Sequence, residues 1–548
     1  MNPTWRRLAR HRIGRWRTPS SSRVTRLGVV ASISSLLIGG CALLPGHTGP
    51  DPAIAAPVRD CLTFLDELDR LADTTSVRDG GEFRVPGFPY LRIDRFTASF
   101  RQQAAADPAG SGAVYPAWVE RMRQLDAQAR RIETANLPAD AFPVLRQSGR
   151  GEIGARVDSC GRLLVAEHAS QPPMRAALVE RAVVPDDYSV TRRALGLYPL
   201  TGIGFAASVR NWQQHARQVF AAQRRSPQSG QLAFQRYAPP DAPASAAAAL
   251  VAARAVLAAS PPDVLGVPQI PADGLERLFN AYAPTFEIAT AADADRIGTL
   301  QWIDLKGLVM AGSDPHWLDV DTTQPVVYRR LAFTRQGRSV LVQLVYSVWF
   351  GERPMQEIGD LYSGRIDGLV WRVTLDEQGE PLIYDSIQPS GRFAMFFPTG
   401  RVLAKPVPAD EPLGEWAYSP IDQPIERWVG ASAVAGLALH VSSQNHQVVG
   451  VGLPGAAWGE PIGQNPPYRM IDADRLRMLP LPGGGHRSIY DAHGVVPGSE
   501  RLGRYFFWPM GIANAGAMRQ WGRQPTALIG RRHFDDADLL ERRFDRLR

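Results

Sequence analysis

Several familiar signatures of catalysis and cofactor binding are missing from this sequence. It has no H-E-x-x-H zinc motif, no paired C-x-x-C motifs and no glycine-rich P-loop. No repeat recurs with a period of about 20 to 50 residues, which argues against solenoids and propellers. Lysine occurs only at Lys306 and Lys405, so nearly every cation is arginine. The sequence therefore predicts neither a bound metal nor a cofactor.

Acidic residues are absent from the first 40 positions, which hold eight arginines. The chain of 548 residues has a formal net charge of +7, and subtracting these eight charges leaves −1 for the rest. A body of this charge has no long-range field that would collect phosphates or anionic lipids. We therefore exclude nucleic acid as a partner.

A long hydrophobic run is also lacking near the N-terminus. The apolar stretch from Leu27 to Ile38 has about a dozen residues, whereas a membrane-spanning helix needs about 20. A basic segment followed by such a short apolar run is typical of an export signal. The run ends in LLIGGC, where Gly39 and Gly40 would let a peptidase reach the backbone before Cys41.

This segment resembles the lipobox of bacterial lipoprotein precursors. The resemblance implies that residues 1–40 are a signal peptide and that Cys41 carries diacylglycerol and a further acyl chain such as palmitate. Two or more such chains anchor a protein stably to a membrane. Alanine at position 42 implies passage to the outer membrane, with the body facing the periplasm or the cell surface. The alternative is that Cys41 merely follows a conventional signal peptide.

Two cysteines, Cys61 and Cys160, remain for the exported body. An oxidising compartment favours a disulfide between them. The bond would close a loop of about 100 residues and contribute up to about 4.7 kcal/mol in the chain-entropy model. The alternative is two buried free thiols on helices that never meet.

The chain after the signal divides by composition into four segments. Residues 41–57 are rich in Pro, Gly and Ala and predict a tether. Residues 58–224 carry apolar side chains at helical spacing and predict a helical domain. Residues 225–270 contain turn formers and an alanine-rich helix, and they predict a linker. Residues 271–548 have the apolar pattern of strands and predict a β-rich domain.

Hairpins are the main expectation for that last segment. The runs 325–334 and 339–350 are separated by a turn containing glycine, as are the runs 369–376 and 381–387. Runs 433–442 and 446–453 form a weaker third pair. A helix is predicted from Ala537 to Arg546, with Asp535 or Asp536 as its N-cap. The predicted fold class is α+β, a mainly helical N-terminal domain followed by a β-rich antiparallel C-terminal domain.

Two short segments collect residue types that carry chemistry. In SDPHWLDVD, Asp314, His316, Asp319 and Asp321 are of the types that bind divalent metals, but an extended chain would place them on opposite faces. We therefore favour an Asp-Pro turn that leads into a strand.

The second segment, GGGHRSIYDAH, has the residue types of a Ser/His/Asp hydrolase in His486, Ser488, Asp491 and His493. No G-x-S-x-G elbow surrounds Ser488, and triad members usually come from distant parts of a chain. A catalytic triad is therefore the less favoured interpretation.

Three other features are interpreted as structural. The glycines of GVGLPG, residues 450–455, match a dinucleotide motif, but Pro454 and the following residues leave no room for the required helix. A charged cluster near the C-terminus is interpreted as a solvated helix start, and a set of aromatic residues in strands as core. The cluster comprises Arg531, Arg532, His533, Asp535 and Asp536. The aromatic set comprises Trp349, Phe350, Trp371, Phe393, Phe396 and Phe397.

The leading functional hypothesis is a membrane-anchored envelope lipoprotein with a binding or structural role. Its expected partners are the membrane, through lipid on Cys41, and an envelope protein or ligand. The alternative is an envelope hydrolase or metal-dependent enzyme that uses the His486 and His493 or the Asp314 and His316 region. The residues favour the non-enzymatic hypothesis because neither region has the complete pattern of a known site.

Overall fold

The computed structural model describes most of the chain after residue 54. The described residues are 55–106, 112–141, 150–225, 233–306, 314–407, 416–431, 434–454, 461–463, 465–526 and 530–547. Cys41, the predicted signal peptide and most of the predicted tether lie outside them. Residues 55–548 form one compact unit.

Helices predominate in the N-terminal part and antiparallel strands in the C-terminal part, which confirms the α+β class. The helices are α1 (Ala56–Thr74), α2 (Arg95–Ala98), α3 (Arg101–Ala105), α4 (Val114–Asn136), α5 (Arg150–Leu164), α6 (Pro172–Arg181), α7 (Val190–Leu195), α8 (Tyr198–Arg225), α9 (Ala246–Ala258), α10 (Ala272–Tyr282), α11 (Ile425–Val429), α12 (Arg504–Phe507) and α13 (Leu539–Arg543). The strands are β1 (Phe83–Val85), β2 (Phe88–Ile93), β3 (Phe234–Tyr237), β4 (Thr285–Ala289), β5 (Thr299–Asp304), β6 (His316–Asp321), β7 (Val326–Gln336), β8 (Ser339–Arg353), β9 (Gly364–Leu375), β10 (Pro381–Ile387), β11 (Met395–Pro398), β12 (Val402–Ala404), β13 (Ala438–Val441), β14 (Val448–Gly452), β15 (Arg469–Asp472), β16 (Leu479–Pro480), β17 (His486–Arg487) and β18 (Phe544–Arg546). Of the helices in this described part, none combines the length and apolar character needed to cross a bilayer.

The N-terminal helices pack around the hairpin of β1 and β2. The predicted apolar face of α1 is buried at Leu65 and Leu68, and that of α4 at Trp118 and Met122. A disulfide joins Cys61 of α1 to Cys160 of α5, the pairing predicted from the cysteine count. The hairpin, α1 and α4 are therefore held as one layer beside the strands of the C-terminal part.

Six strands form the largest sheet, in the order β11-β10-β9-β8-β7-β15. β7 and β8 pair antiparallel, and so do β9 and β10, as the sequence predicted. Gly337 and Gly379 adopt positive φ angles in the two connecting turns, where side-chain-bearing residues would be strained. Nearly all residues of β9 and β10 are buried, so both faces of this sheet are covered.

A second sheet has four strands in the order β14-β13-β4-β3. β13 and β14 form the third predicted hairpin. In the segment 225–270, predicted as a linker with an alanine-rich helix, α9 is that helix and β3 is a strand that was not predicted. The main core lies between this sheet, α9, α10 and one face of the larger sheet, where alternate residues of β8 such as Leu344 and Tyr346 are buried.

The C-terminal helix is shorter than predicted. It covers only Leu539–Arg543, and its N-cap residue is Asp538 rather than Asp535 or Asp536. The chain then continues as β18, which pairs antiparallel with β12. Phe544 is buried against the ring of Phe396, with 5.5 Å between the ring centroids. Tertiary packing therefore replaces the last helical turn by a strand.

Candidate functional site

A charged cavity of about 280 Å³ lies where the N-terminal layer meets the large sheet. Its walls come from the loop before β1, from α2, α4 and β7, and from the chain that follows β15. We call it the Glu82 cavity. Its lining residues are Gly81, Glu82, Phe83, Asp94, Arg95, Phe96, Arg121, Leu125, Gln128, Arg330, Leu331, Ala332, Phe333, Asp472, Asp474, Arg477, Gln520, Trp521, Gly522 and Asp535.

Strand register creates the space for this cavity. β15 pairs in parallel with β7 only as far as Arg329, which lies opposite Asp472. There the Asp472 carboxylate accepts a hydrogen bond from the backbone N of Asp474 at 2.8 Å and starts a 3-10 turn. Because the chain leaves the sheet at this turn, residues 330–333 of β7 have no neighbouring strand on that side. They line the cavity instead.

Two helices complete the opposite wall. Arg121, Leu125 and Gln128 of α4 are four and three residues apart, so they lie on one side of the helix and line the cavity together. Asp94 caps α2 by accepting a hydrogen bond from the backbone N of Thr97 at 2.6 Å. The cap fixes the first turn of α2, in which Arg95 reaches the cavity.

Arg477 is the centre of the charge network behind the cavity. Its side chain is 1% exposed, and its Nε donates to Asp79 Oδ1 at 2.9 Å. Nη2 donates to Glu82 Oε2 at 2.5 Å, and Nη1 donates to Asp474 Oδ1 at 3.1 Å. Asp474 also accepts a hydrogen bond from Arg330 Nη2 at 2.5 Å. One arginine therefore holds three carboxyl groups from two distant parts of the chain.

Two neighbouring carboxyl groups in this network, those of Asp79 and Glu82, have very different pKa values. Burial raises the pKa of Glu82, the charge of Arg477 opposes this shift and the nearby Asp79 adds to it, and together they bring the pKa to about 8. Burial acts to raise the pKa of Asp79 as well, but the charge and hydrogen bonds of Arg477 and a hydrogen bond from Glu82 hold it at about 2. The two carboxyl groups titrate as a pair, and the raised pKa of Glu82 beside the lowered pKa of Asp79 favours the proton on Glu82.

Asp535 and Arg95 face each other on the far side of the cavity. Arg95 Nε lies 3.3 Å from Asp535 Oδ1 and 3.6 Å from Asp536 Oδ1, and Arg95 Nη2 lies 3.6 Å from Asp187 Oδ2. Three carboxyl groups therefore hold the Arg95 guanidinium on this side of the cavity.

The predicted solvated start of the C-terminal helix is wrong. Arg532 and His533 are buried, and His533 Nε2 lies 3.2 Å from Asp187 Oδ2. Burial acts to raise the pKa of Asp187, but the hydrogen bond with His533 and the charge of Arg523 hold it at about 2. Arg532 and His533 are buried because the neighbouring Phe534 enters a core cluster with Val345 and Val370 of the large sheet, whereas Arg531 remains exposed.

Charges in the lining balance when Glu82 is protonated. Four arginines then face four aspartates, and aromatic side chains add apolar surface between them. The charged residues are Arg95, Arg121, Arg330, Arg477, Asp94, Asp472, Asp474 and Asp535, and the aromatic residues are Phe83, Phe96, Phe333 and Trp521. Such a lining offers many donors and acceptors but no net attraction for an ion.

The Asp314 and His316 segment does not assemble a metal site. His316 Nδ1 lies 2.9 Å from Asp314 Oδ1, and Asp314 also pairs with Arg487. Asp319 lies on the other face of β6, and Asp321 Oδ1 accepts a hydrogen bond from the backbone N of Thr323 at 3.0 Å. Within the described ranges, no group of three or more His, Cys, Asp or Glu side chains could hold a metal ion.

The His486 segment does not form a triad either. Ser488 Oγ accepts a hydrogen bond from the backbone N of Tyr490 at 3.0 Å. Asp491 Oδ1 accepts from the backbone N of His493 at 2.8 Å and from that of Val495 at 2.9 Å. These groups form turns along the chain, so the carboxylate does not orient either His486 or His493.

The GVGLPG segment and the aromatic set were also interpreted as structural. Gly450 and Gly452 lie in β14, while Gly455 falls outside the described residues. The aromatic set is core as predicted for five of its six members, which are at most 4% exposed, and Phe393 is partly buried against Trp212.

Sequence reasoning missed the residues that build the Glu82 cavity. Asp79 and Glu82 lie about 400 positions from Arg477, and no spacing rule links them. One signal was available in the run PVVYRRLAFT, where Arg329 and Arg330 interrupt an otherwise apolar strand. A charged residue in such a strand needs a partner, although the sequence does not say which one.

No family model, no curated protein and no solved structure matches this chain.

Proposed function

We propose that this protein is an envelope lipoprotein, anchored through lipid on Cys41, that binds a small polyhydroxylated ligand such as a sugar in the Glu82 cavity. The observation that carries the binding role is the lining of four arginines and four aspartates, interleaved with aromatic rings, around Glu82. The non-enzymatic role follows the sequence-based hypothesis, and the ligand class follows from the cavity.

The anchor is supported by the LLIGGC segment and by the position of the first helix. α1 begins at Ala56, two residues inside the predicted tether, so residues 42–55 are left to connect the body to Cys41. The disulfide between Cys61 and Cys160 suits an oxidising compartment outside the cytoplasm. These features agree with an exported body but do not depend on the cavity.

The anchor is tested on the full chain expressed in bacteria. Wild-type protein should incorporate labelled palmitate and fractionate with the outer membrane, and mass spectrometry should find the mature N-terminus at an acylated Cys41. The Cys41→Ser variant should lose the label and the membrane association. Palmitate incorporation in that variant, or a mature N-terminus elsewhere, contradicts the proposed anchor.

The ligand class follows from size and charge. A volume of about 280 Å³ is at the lower end of ligand cavities, so a molecule of one or two rings fits. A sugar has hydroxyl groups for paired Arg and Asp side chains and a C–H face that packs on an aromatic ring. Trp521, which is half-buried, offers such a ring. A strongly charged ligand would be repelled by half of the lining.

Calorimetry with purified protein tests this class. We expect glucose or N-acetylglucosamine to bind, and inorganic phosphate and free arginine not to bind at comparable concentrations. Trp521→Leu should weaken sugar binding about tenfold or more, while Trp416→Leu, a half-buried tryptophan in another core cluster, should leave it unchanged. Binding of phosphate in preference to every sugar tested contradicts the proposal.

A second candidate function is acid–base catalysis on the ligand in the same cavity. It is favoured by the raised pKa of Glu82, a lining residue of the cavity, since a carboxyl group that keeps its proton near neutral pH can act as a general acid. Glu82 would protonate the leaving oxygen of a glycosidic bond, and a water molecule would add to the anomeric carbon and release its proton to solvent. Turnover of a bound sugar derivative that is lost in Glu82→Gln, with sugar binding retained, would favour this function over binding alone.

A further inference from the structure

A second, smaller pocket lies beside the Glu82 cavity. Its volume is about 30 Å³, and three of its lining residues, Arg330, Gln520 and Trp521, also line the cavity. Trp349 of β8 lines only the smaller space. We call this space the Trp349 pocket. The two spaces are neighbours that share part of one wall.

The large sheet forms the floor of the Trp349 pocket. Arg330 of β7 lies opposite Val345 of β8, and Ser347 of β8 lies opposite Val370 of β9. Residues two positions apart in a strand share a face, so Val345, Ser347 and Trp349 lie on the face that carries Arg330. The 3-10 turn after β15 forms another part of the wall. The departure of the chain from the sheet therefore creates both spaces.

Two hydrogen-bond donors in the wall of the pocket have no partner among the described residues. They are Nε1 of Trp349, which is 2% exposed, and Nε of Arg519, which is 6% exposed. A buried donor that lacks an acceptor costs about 1–3 kcal/mol. The wall therefore favours a group that brings an acceptor oxygen.

Two acceptors in the same wall also lack a partner among the described residues. They are the Oε1 atoms of Gln520 and Gln524, whose side chains are both buried. Gln520 Nε2 donates to Asp79 Oδ1 at 3.5 Å, and Gln524 Nε2 donates to the backbone O of Arg519 at 3.4 Å. Because each amide nitrogen faces an acceptor, each amide oxygen is left for a group that brings a hydrogen.

A hydroxyl group meets both needs, because its oxygen accepts hydrogen bonds and its hydrogen donates one. A carboxylate offers only acceptors and an ammonium group only donors, so either would leave atoms of one kind unpaired. One water-sized atom needs about 10–15 Å³, so about 30 Å³ holds a group of about two heavy atoms. The pocket therefore fits a hydroxymethyl group, whereas an acetamido group has twice as many heavy atoms.

We propose that the Trp349 pocket receives the hydroxymethyl group of a hexose bound in the Glu82 cavity. The sugar ring packs on Trp521, which lines both spaces, and the hydroxymethyl group extends beside it into the pocket. Its oxygen accepts from Trp349 Nε1 and Arg519 Nε, and its hydrogen is donated to the Oε1 atom of Gln520 or Gln524. This inference rests on the proposed sugar binding and narrows the ligand to hexoses with a free hydroxymethyl group.

A pair of sugars tests the assignment on the wild-type protein. Calorimetry compares glucose with 6-deoxyglucose, in which a hydrogen replaces the hydroxyl of the hydroxymethyl group. We expect glucose to bind about tenfold more tightly or more, because the deoxy sugar leaves buried donors and acceptors unpaired. If N-acetylglucosamine is the tighter ligand, it is compared with its own 6-deoxy derivative in the same way.

A glutamine variant locates the hydroxyl group in the pocket. Gln524→Met keeps the length of the side chain and removes the acceptor, so the preference for glucose should fall to about threefold or less. A merely structural role of Gln524 would weaken both sugars alike and leave the preference intact. Gln343→Met is the matched control, because Gln343 is a buried glutamine of β8 that lines neither space, and it should keep the full preference. Thermal melts check that both variants are folded.

The outcomes separate this inference from the proposed function. Equal binding of the two sugars by wild type overturns the inference and leaves sugar binding in the Glu82 cavity standing. A preference that is unchanged in Gln524→Met places the hydroxyl group elsewhere and overturns it as well. Absence of binding by every sugar overturns the proposed function and this inference together.

Discussion

Arg477 Nη2 lies 2.5 Å from Glu82 Oε2, although the two residues are 395 positions apart in the chain. The contact joins the loop before β1 to the 3-10 turn after β15. It also places an arginine that is 1% exposed next to Asp79 and Asp474. The stability of the cavity wall and the pKa values of its carboxyl groups therefore depend on the same few atoms.

Removal of Arg477 should destabilise the protein strongly. In Arg477→Met the carboxyl group of Asp79, which is 1% exposed, loses its arginine partner while still buried, which costs about 3–5 kcal/mol. Urea denaturation measures this loss as a lower free energy of unfolding. Arg475→Met is the matched control, because Arg475 is on the same turn but exposed, and it should change stability by less than about 0.5 kcal/mol.

The raised pKa of Glu82 predicts a pH dependence of stability. Its pKa is about 8 in the folded protein against an ordinary value of 4.5. Since the folded state holds the proton more tightly, this contribution is complete below pH 4.5 and is lost as the pH rises through 8. Urea denaturation measured at a series of pH values between 4.5 and 8 should show this loss as a decline in the free energy of unfolding. We expect Glu82→Gln to remove the part of the decline that Glu82 causes. Glu67→Gln, on the exposed side of α1, should leave the wild-type profile; an identical profile in both variants contradicts the assignment.

His446 should be a buried imidazolium between two aspartates. Its Nδ1 lies 2.8 Å from Asp367 Oδ2 and its Nε2 lies 3.4 Å from Asp295 Oδ1, while its ring stacks on Phe350 at 3.8 Å. Burial acts to lower the pKa of His446, but the hydrogen bonds and charges of both aspartates raise it above 6.5.

Nitrogen NMR should show the His446 ring titrating above the ordinary histidine value, and the signal should vanish in His446→Gln. Because the folded pKa is raised, the stabilisation from the charged ring is complete below pH 6.5 and is lost as the pH rises through the folded value. His446→Gln should cost about 3–5 kcal/mol at pH 6, since it leaves two buried carboxylates facing each other. A neutral ring at pH 6 would contradict this account.

Loss of the disulfide should weaken the N-terminal layer. Cys61→Ser/Cys160→Ser removes a bond between residues 99 positions apart, which typically costs about 2–5 kcal/mol. The free energy of unfolding of wild type should fall to that of the variant when a reductant is added. The variant itself should not respond to reductant, and a response would point to another redox-sensitive group.

Local patterns predicted the helices and hairpins well. Apolar spacing identified α1 and α4, and strand runs on both sides of Gly337 and Gly379 identified the central hairpins, because each pattern is set by neighbours in sequence. The C-terminal helix was overestimated. Its last residues became β18 because β12, about 140 positions earlier, offered a strand to pair with.

The sequence by itself determined the α+β class, the main hairpins and the expectation of a lipid on Cys41, since all of these follow from patterns along a short stretch of chain. Only the tertiary structure decided which charged residues meet. The missing partner strand beyond Arg329 and the contacts of Arg477 arise from long-range pairing. The physical reason is that a buried charge must find an opposite charge in space, and many positions in the sequence could supply it.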